Sequence, residues 1–118
     1  MDSITKSVKC GVDGMVHAIR SERNLKIHCA MAVGTVTVGF ILNITLTEWG
    51  LVLCCISIVF GLELLNTAIE QVCNLIEPNF DAKIGIIKDI SAGAVLVASI
   101  FSAIVGLIIF LPLLLNCI

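Results

Sequence analysis

The sequence predicts an all-α membrane protein, with three transmembrane helices preceded by an amphipathic helix on the membrane surface. Three observations predict this fold. Of the 118 residues, 58% are hydrophobic and only 14% are charged, whereas soluble domains average about 25% charged residues. Apolar runs long enough to cross a bilayer occur three times. All seven Lys and Arg residues lie either up to the start of the first run or between the second and third. The length suits one domain, residues 1–118.

The N-terminal segment, about residues 3–23, is expected to form the surface helix. Its apolar residues recur at helical spacing with charged residues between them, which is typical of a helix lying in the membrane interface. These apolar residues are Ile4, Val8, Val12, Met15, Val16 and Ile19. Gly11 and Gly14 weaken this helix and are positions where it can bend.

The three spans are predicted at about 25–44, 49–76 and 84–115. The first barely reaches the roughly 20 residues that a bilayer core requires. Lys26 and His28 lie at its edge, where long polar side chains can reach the interface. The second and third runs are longer than a bilayer needs, so the end of the second and the start of the third are expected to emerge into water.

Two polar connections separate the spans. Residues 43–47 are predicted to form a short turn, and Trp49 then marks the interface, where tryptophan is enriched. Pro78 is expected to end the second span, because the residue before a proline avoids helical geometry. The positive-inside rule places the N-terminus and the connection that contains Lys83 in the cytoplasm.

A polar stripe lies inside the apolar second span. Glu63, Asn66 and Glu70 fall within a roughly 60° arc of one helix face, and Asn74 and Glu77 continue it. Ionisable groups at membrane depth are costly and typically line a functional site. Burying both Glu63 and Glu70 without a cation or a proton to neutralise them is expensive. The stripe therefore predicts a site that binds a cation, transfers a proton, or does both.

These residue types allow a specific chemistry. Magnesium takes oxygen ligands, often one or two carboxylates together with substrate phosphates, and Glu22 and Glu70 can supply the carboxylates near the cytoplasmic interface. Glu63 lies two turns deeper, about 10 Å along the helix axis, where it can accept a proton from a lipid hydroxyl. Lys88 can hold nucleotide phosphates.

Simpler interpretations remain open for some of these residues. Glu22 can be a solvated interface charge, and Asp89 can pair with the neighbouring Lys88. The sequence contains neither a P-loop nor the glycine loop of protein kinases, so a nucleotide site would resemble neither. The net charge of −2 argues against a nucleic-acid partner.

Motifs in a fixed order run through nearly the whole chain. They are A-I-R-S-E-R-N at 18–24 with Lys26 and His28, Glu48-Trp49, E-L-L-N-T-A-I-E at 63–70, Ala82-Lys83, and K-D-I-S-A-G-A-V at 88–95. This set resembles the small prokaryotic diacylglycerol kinase family, and most closely its Gram-positive branch of undecaprenol kinases.

The resemblance implies a homotrimeric bundle in the bacterial cytoplasmic membrane, with active sites between subunits. It implies transfer of the γ-phosphate of ATP to a lipid alcohol with Mg²⁺. By motif match, Glu63 takes the role of catalytic base, and Glu22 and Glu70 take that of metal ligands. The residues implied to bind the nucleotide and its metal are Glu22, Asn66, Glu70, Lys88 and Asp89.

The chain departs from the family pattern at Asn74, where the family usually has Asp, and in the N-terminal region around Val8 and Cys10, where it often has aromatic residues. Undecaprenol is the leading acceptor, and diacylglycerol is the alternative. An alternative of another class is a small proton-coupled transporter, which also uses intramembrane glutamate. Such transporters usually have four spans, whereas three are predicted here. The Lys88-Asp89 pair also suits a phosphate-containing substrate better than it suits a transporter.

Overall fold

The computed structural model describes residues 2–118, and these residues form four α-helices and no strand. In chain order the helices are α1 (Ser3–Ser21), α2 (Arg23–Leu42), α3 (Leu46–Ile76) and α4 (Ala82–Asn116). The last three are each long and apolar enough to cross a membrane. The predicted all-helical class, with three helices of membrane-spanning length, is therefore confirmed.

α1 is held at its start by Asp2, whose side chain accepts a hydrogen bond of 2.7 Å from the backbone N–H of Thr5. This bond lowers the pKa of the Asp2 carboxyl. The helix continues through both glycines at which the sequence allows a bend. It ends at Ser21, slightly earlier than predicted, because Glu22 adopts an extended backbone and separates α1 from α2.

The turn between α2 and α3 is shorter than predicted. Asn43 ends α2 in the left-handed conformation, with φ 53° and ψ 55°, which asparagine adopts more readily than most residues. α3 then begins at Leu46, before the predicted start of the span, because Thr45 and Glu48 form a capping box. The Glu48 N–H donates to the Thr45 hydroxyl (3.2 Å), and Glu48 Oε1 accepts from the Thr45 N–H (2.9 Å).

Trp49 packs across this turn against α2. Its ring centroid lies 4.8 Å from that of Phe40, and its six-membered ring lies directly over Gly39. The turn residue Ile44 is buried beside it, together with Val52 of α3 and Ile109 of α4. Trp49 therefore joins a small apolar core at this end of the helices, in addition to its predicted interfacial position.

The connection between α3 and α4 is set by local sequence. α3 ends at Ile76, immediately before Glu77 and Pro78, as the proline predicts. α4 begins at Ala82, two residues before the predicted span. The reason is the carboxylate of Asp81, which accepts hydrogen bonds from the first backbone N–H groups of α4 (2.9 and 3.1 Å).

α3 lies at the centre of the chain and contacts α1, α2 and α4. The whole subunit measures 53 × 43 × 20 Å, so it is about two helix diameters thick. Leu25 is the only large side chain in the described residues that is completely buried, and many large apolar side chains on all four helices are exposed. Such a surface suits contact with lipid or with other subunits.

Candidate functional site

Glu63 is buried in the middle of α3 and faces α2. Its side chain is 4% exposed, and its Oε2 lies 3.7 Å from Nε2 of His28, which is 22% exposed. No other acidic and basic side chains approach within 4.0 Å of each other in the part of the chain that the structure describes. His28 lies at the edge of the first predicted span, where it can reach the interface, and in the structure its imidazole faces Glu63 of α3. The reason is that an ionisable group buried between apolar helices needs a polar partner.

Asn66 lies one turn after Glu63 and is also buried, at 6% exposure. Its Nδ2 donates a long hydrogen bond of 3.4 Å to Oε1 of Glu70. Its Oδ1 has no hydrogen-bond partner within residues 2–118, although buried polar atoms are usually paired. The predicted face of Glu63, Asn66 and Glu70 is thus present, and it carries a free oxygen acceptor beside a carboxylate.

α1 crosses α3 beside this polar face and leaves a cleft of about 360 Å³ between the two helices. Gly11 and Gly14 line it from α1, and Thr67 and Gln71 line it from α3. Thr67 is almost completely buried, and it was not among the predicted site residues. A Cβ added at either glycine would meet no atom within 4 Å, so this side of α1 is open.

Lys88 at the start of α4 reaches back to the end of α3. Its Nζ donates a hydrogen bond of 2.6 Å to Oδ1 of Asn74. Asp89, which the simpler interpretation paired with Lys88, is exposed and forms no ion pair within the described residues. Adjacent residues of a helix point about 100° apart and do not face each other, so Lys88 bonds to the other helix instead.

Glu22 lies at the break between α1 and α2 and is half-buried. Its backbone N–H donates to the Ala18 carbonyl (2.9 Å), whereas its carboxylate makes no hydrogen bond with another residue in 2–118. Those residues contain no group of three His, Cys, Asp or Glu side chains placed to hold a metal ion. One subunit therefore offers at most two carboxylates to a metal.

A larger apolar cleft of about 550 Å³ lies between α2, α3 and α4. His28 is at its polar end, and the remaining lining is almost entirely apolar or small, such as Gly34, Ala103 and Gly106. His28, the partner of Glu63, therefore borders an apolar space between three helices of membrane-spanning length.

Sequence reasoning assigned no site role to His28 or Thr67. A usable signal existed for His28, because it is an ionisable residue within a predicted span, the same criterion that selects Glu63. Thr67 lies within the E-L-L-N-T-A-I-E motif at 63–70, but its burial depends on where α1 crosses α3.

Comparison with known proteins shows the family of this chain. The chain is 41% identical over 99 residues to the undecaprenol kinase of Bacillus subtilis, an alignment that covers 84% of this chain and 80% of that protein. It is 36% identical over 104 residues to the diacylglycerol kinase of Synechocystis, covering 87% of this chain and 59% of that longer protein. The family model for prokaryotic diacylglycerol kinase matches residues 9–110. The chain therefore belongs to the prokaryotic diacylglycerol kinase family.

Proposed function

We propose that this protein is a lipid kinase that transfers the γ-phosphate of ATP to the hydroxyl of undecaprenol, with Mg²⁺. The observation that carries the proposal is the buried carboxylate of Glu63 on an apolar, membrane-length helix, within a chain 41% identical to an undecaprenol kinase. A carboxylate at that depth can reach the hydroxyl of a lipid. A base that acted on a water-soluble acceptor would not need to be buried within the membrane, where an ionisable group is costly.

In this mechanism Glu63 is the general base. Its carboxylate takes the proton of the lipid hydroxyl while the hydroxyl oxygen attacks the γ-phosphorus of ATP. The bond between that phosphorus and the bridging oxygen breaks, and ADP leaves. Phosphoryl transfer depends mainly on positioning and on neutralising charge. The contribution of Glu63 is therefore to orient the acceptor and to remove one proton.

Glu22 and Glu70 would hold Mg²⁺ with the phosphates of ATP. The donor set fits this ion, because both groups are carboxylates and the unpaired Oδ1 of Asn66 lies in the same face as Glu70. Bound Mg²⁺ would neutralise charge on the transferring phosphate. The shortage of ligands within one chain agrees with a site completed by substrate phosphates and by a neighbouring subunit.

Asn66, Lys88 and Asp89 would line the nucleotide site together with the two metal ligands. The hydrogen bond from Lys88 to the neutral Asn74 supports this role, because it gives the side chain a partner that carries no negative charge. An ammonium group binds phosphate as a compact point charge. Lys88 is therefore the residue that we expect to contact the β- and γ-phosphates.

The protein would act as a homotrimer in the bacterial cytoplasmic membrane, with its N-terminus in the cytoplasm. The basic residues of α1 and of the first turns of α2 and α4 favour this orientation. The exposed apolar side chains of α1, such as Ile4 and Val8, suit a helix resting on the membrane surface. The thin subunit with exposed apolar faces supports assembly into a larger bundle.

The proposal is tested by incubating the purified protein in lipid bicelles with γ-labelled ATP and a panel of lipid alcohols. We expect label in undecaprenyl phosphate, dependent on Mg²⁺, and slower labelling of diacylglycerol. Faster labelling of diacylglycerol would favour the alternative acceptor, the activity named for the Synechocystis relative. No labelling of either lipid by an assembled, folded protein would refute the lipid kinase assignment.

A further inference from the structure

We propose that His28 is a positioning residue for Glu63, whose imidazole fixes the orientation of the catalytic carboxylate. This inference rests on the proposed function, because it assigns His28 a role only if Glu63 is the base. It is carried by three observations on α2 and α3.

The first observation is the contact itself. His28 and Glu63 lie on different helices, with Nε2 and Oε2 3.7 Å apart. This separation is longer than a hydrogen bond but within the range of an ion pair. Catalytic contacts are often long without substrate and tighten in the reacting complex.

The second observation is that Glu63 has no other such partner. No other basic residue lies within 4 Å of its carboxylate in the described chain, and no hydrogen bond from another side chain reaches it. A glutamate on an isolated apolar helix can rotate about three side-chain bonds. A single partner fixed on a neighbouring helix therefore determines where its oxygens point.

The third observation is that α2 is itself fixed in rotation. Leu25 is completely buried, and it lies three residues before His28, on the same face of the helix. Rotating α2 to turn His28 away from α3 would pull Leu25 out of its packing. His28 is thus held towards Glu63 by the packing of α2 as well as by its contact with the carboxylate.

A positioning role differs from a structural one in what it changes. If His28 orients the base, its loss lowers kcat much more than it changes the KM values for ATP and undecaprenol, because the polar contact of His28 is with Glu63. If His28 only compensates the buried charge of Glu63, its loss lowers thermal stability and leaves kcat per folded trimer unchanged.

The experiment measures kcat, both KM values and thermal stability for His28→Leu, His28→Gln and Glu63→Gln in bicelles. Leu removes the polar contact, and we expect kcat to fall about 10- to 100-fold, the size of effect that a misplaced catalytic group produces. Gln carries an amide N–H near the position of Nε2, and we expect it to restore most of the lost rate. Thr37→Val, on the exposed side of the same helix, is the control and should match the wild type.

The double variant of His28→Leu with Glu63→Gln completes the test. Without a base to position, the change at His28 should cause no further loss of kcat. Wild-type kcat in His28→Leu while Glu63→Gln is impaired would overturn the inference and leave the proposed function intact. A loss that persists undiminished in the Glu63→Gln background would also overturn it. Full activity of Glu63→Gln would instead refute the base assignment, and the role of His28 with it.

Discussion

Lys88 Nζ donates a hydrogen bond of 2.6 Å to Oδ1 of Asn74, which ties the first turns of α4 to the last turns of α3. The family usually has a carboxylate at position 74, and this chain has an amide. Both groups present an oxygen acceptor, so the bond does not require the charge. The neutral partner leaves the ammonium of Lys88 uncompensated and available to a phosphate.

We therefore expect Asn74→Asp to keep or improve activity, because Asp preserves the acceptor for Lys88. Asn74→Ala removes the acceptor and should raise the KM for ATP several-fold with little change in kcat. Asn79→Ala, an exposed asparagine in the connection, is the matched control. Complete inactivity of a folded Asn74→Asp trimer would show that this protein needs the amide itself.

Glu63→Gln should lower kcat by at least about 10²-fold, because the amide keeps the shape of the side chain but takes no proton. Nucleotide affinity and trimer assembly should persist. Thermal stability should hold or rise, because a buried charge is removed. Measuring kcat, nucleotide affinity and thermal stability on this one variant distinguishes a catalytic base from a packing residue. An active and more stable variant would show that Glu63 only packs.

Glu22→Gln and Glu70→Gln should each raise the Mg²⁺ concentration for half-maximal activity by at least about 10-fold, or abolish turnover, because each removes one of two proposed carboxylate ligands. Glu77→Gln is the matched control, since that carboxylate accepts a hydrogen bond from the Asn79 N–H at the end of α3. A Mg²⁺ titration of Glu70→Gln identical to that of the wild type would remove Glu70 from the metal site.

The predicted topology can be read from the free cysteines. Cys10 and Cys117 are both exposed, and they lie near opposite ends of the chain. In variants that keep a single cysteine, an impermeant maleimide should label Cys117 from outside the cell and Cys10 only after the membrane is opened. The buried Cys73 serves as the unreactive control. Labelling of Cys10 and Cys117 from the same side would contradict three crossings.

Gly39→Ala should destabilise the protein by about 1–3 kcal/mol, the usual cost of overpacking. A Cβ at this position would lie 2.8 Å from Cη2 of Trp49 and 3.2 Å from Cδ1 of Ile44. Gly50→Ala is the control, because its Cβ would meet no atom within 4 Å, and alanine favours the helix. The measurement is the thermal stability of Gly39→Ala and Gly50→Ala in bicelles. Equal stability of the two variants would show that Trp49 moves aside without a loss of stability.

The sequence by itself determined which segments are helical and which helices are long and apolar enough to cross a membrane. It also determined that Glu63, Asn66 and Glu70 share one face. These properties depend on composition and on the 3.6-residue period, which are local. The tertiary structure decided which partner each polar group has. His28 contacts Glu63, and Lys88 forms a hydrogen bond with Asn74 and not an ion pair with its neighbour Asp89. Such contacts between helices depend on how the helices are rotated and packed. That rotation is set by the packing of buried side chains such as Leu25, and this packing depends on the other helices.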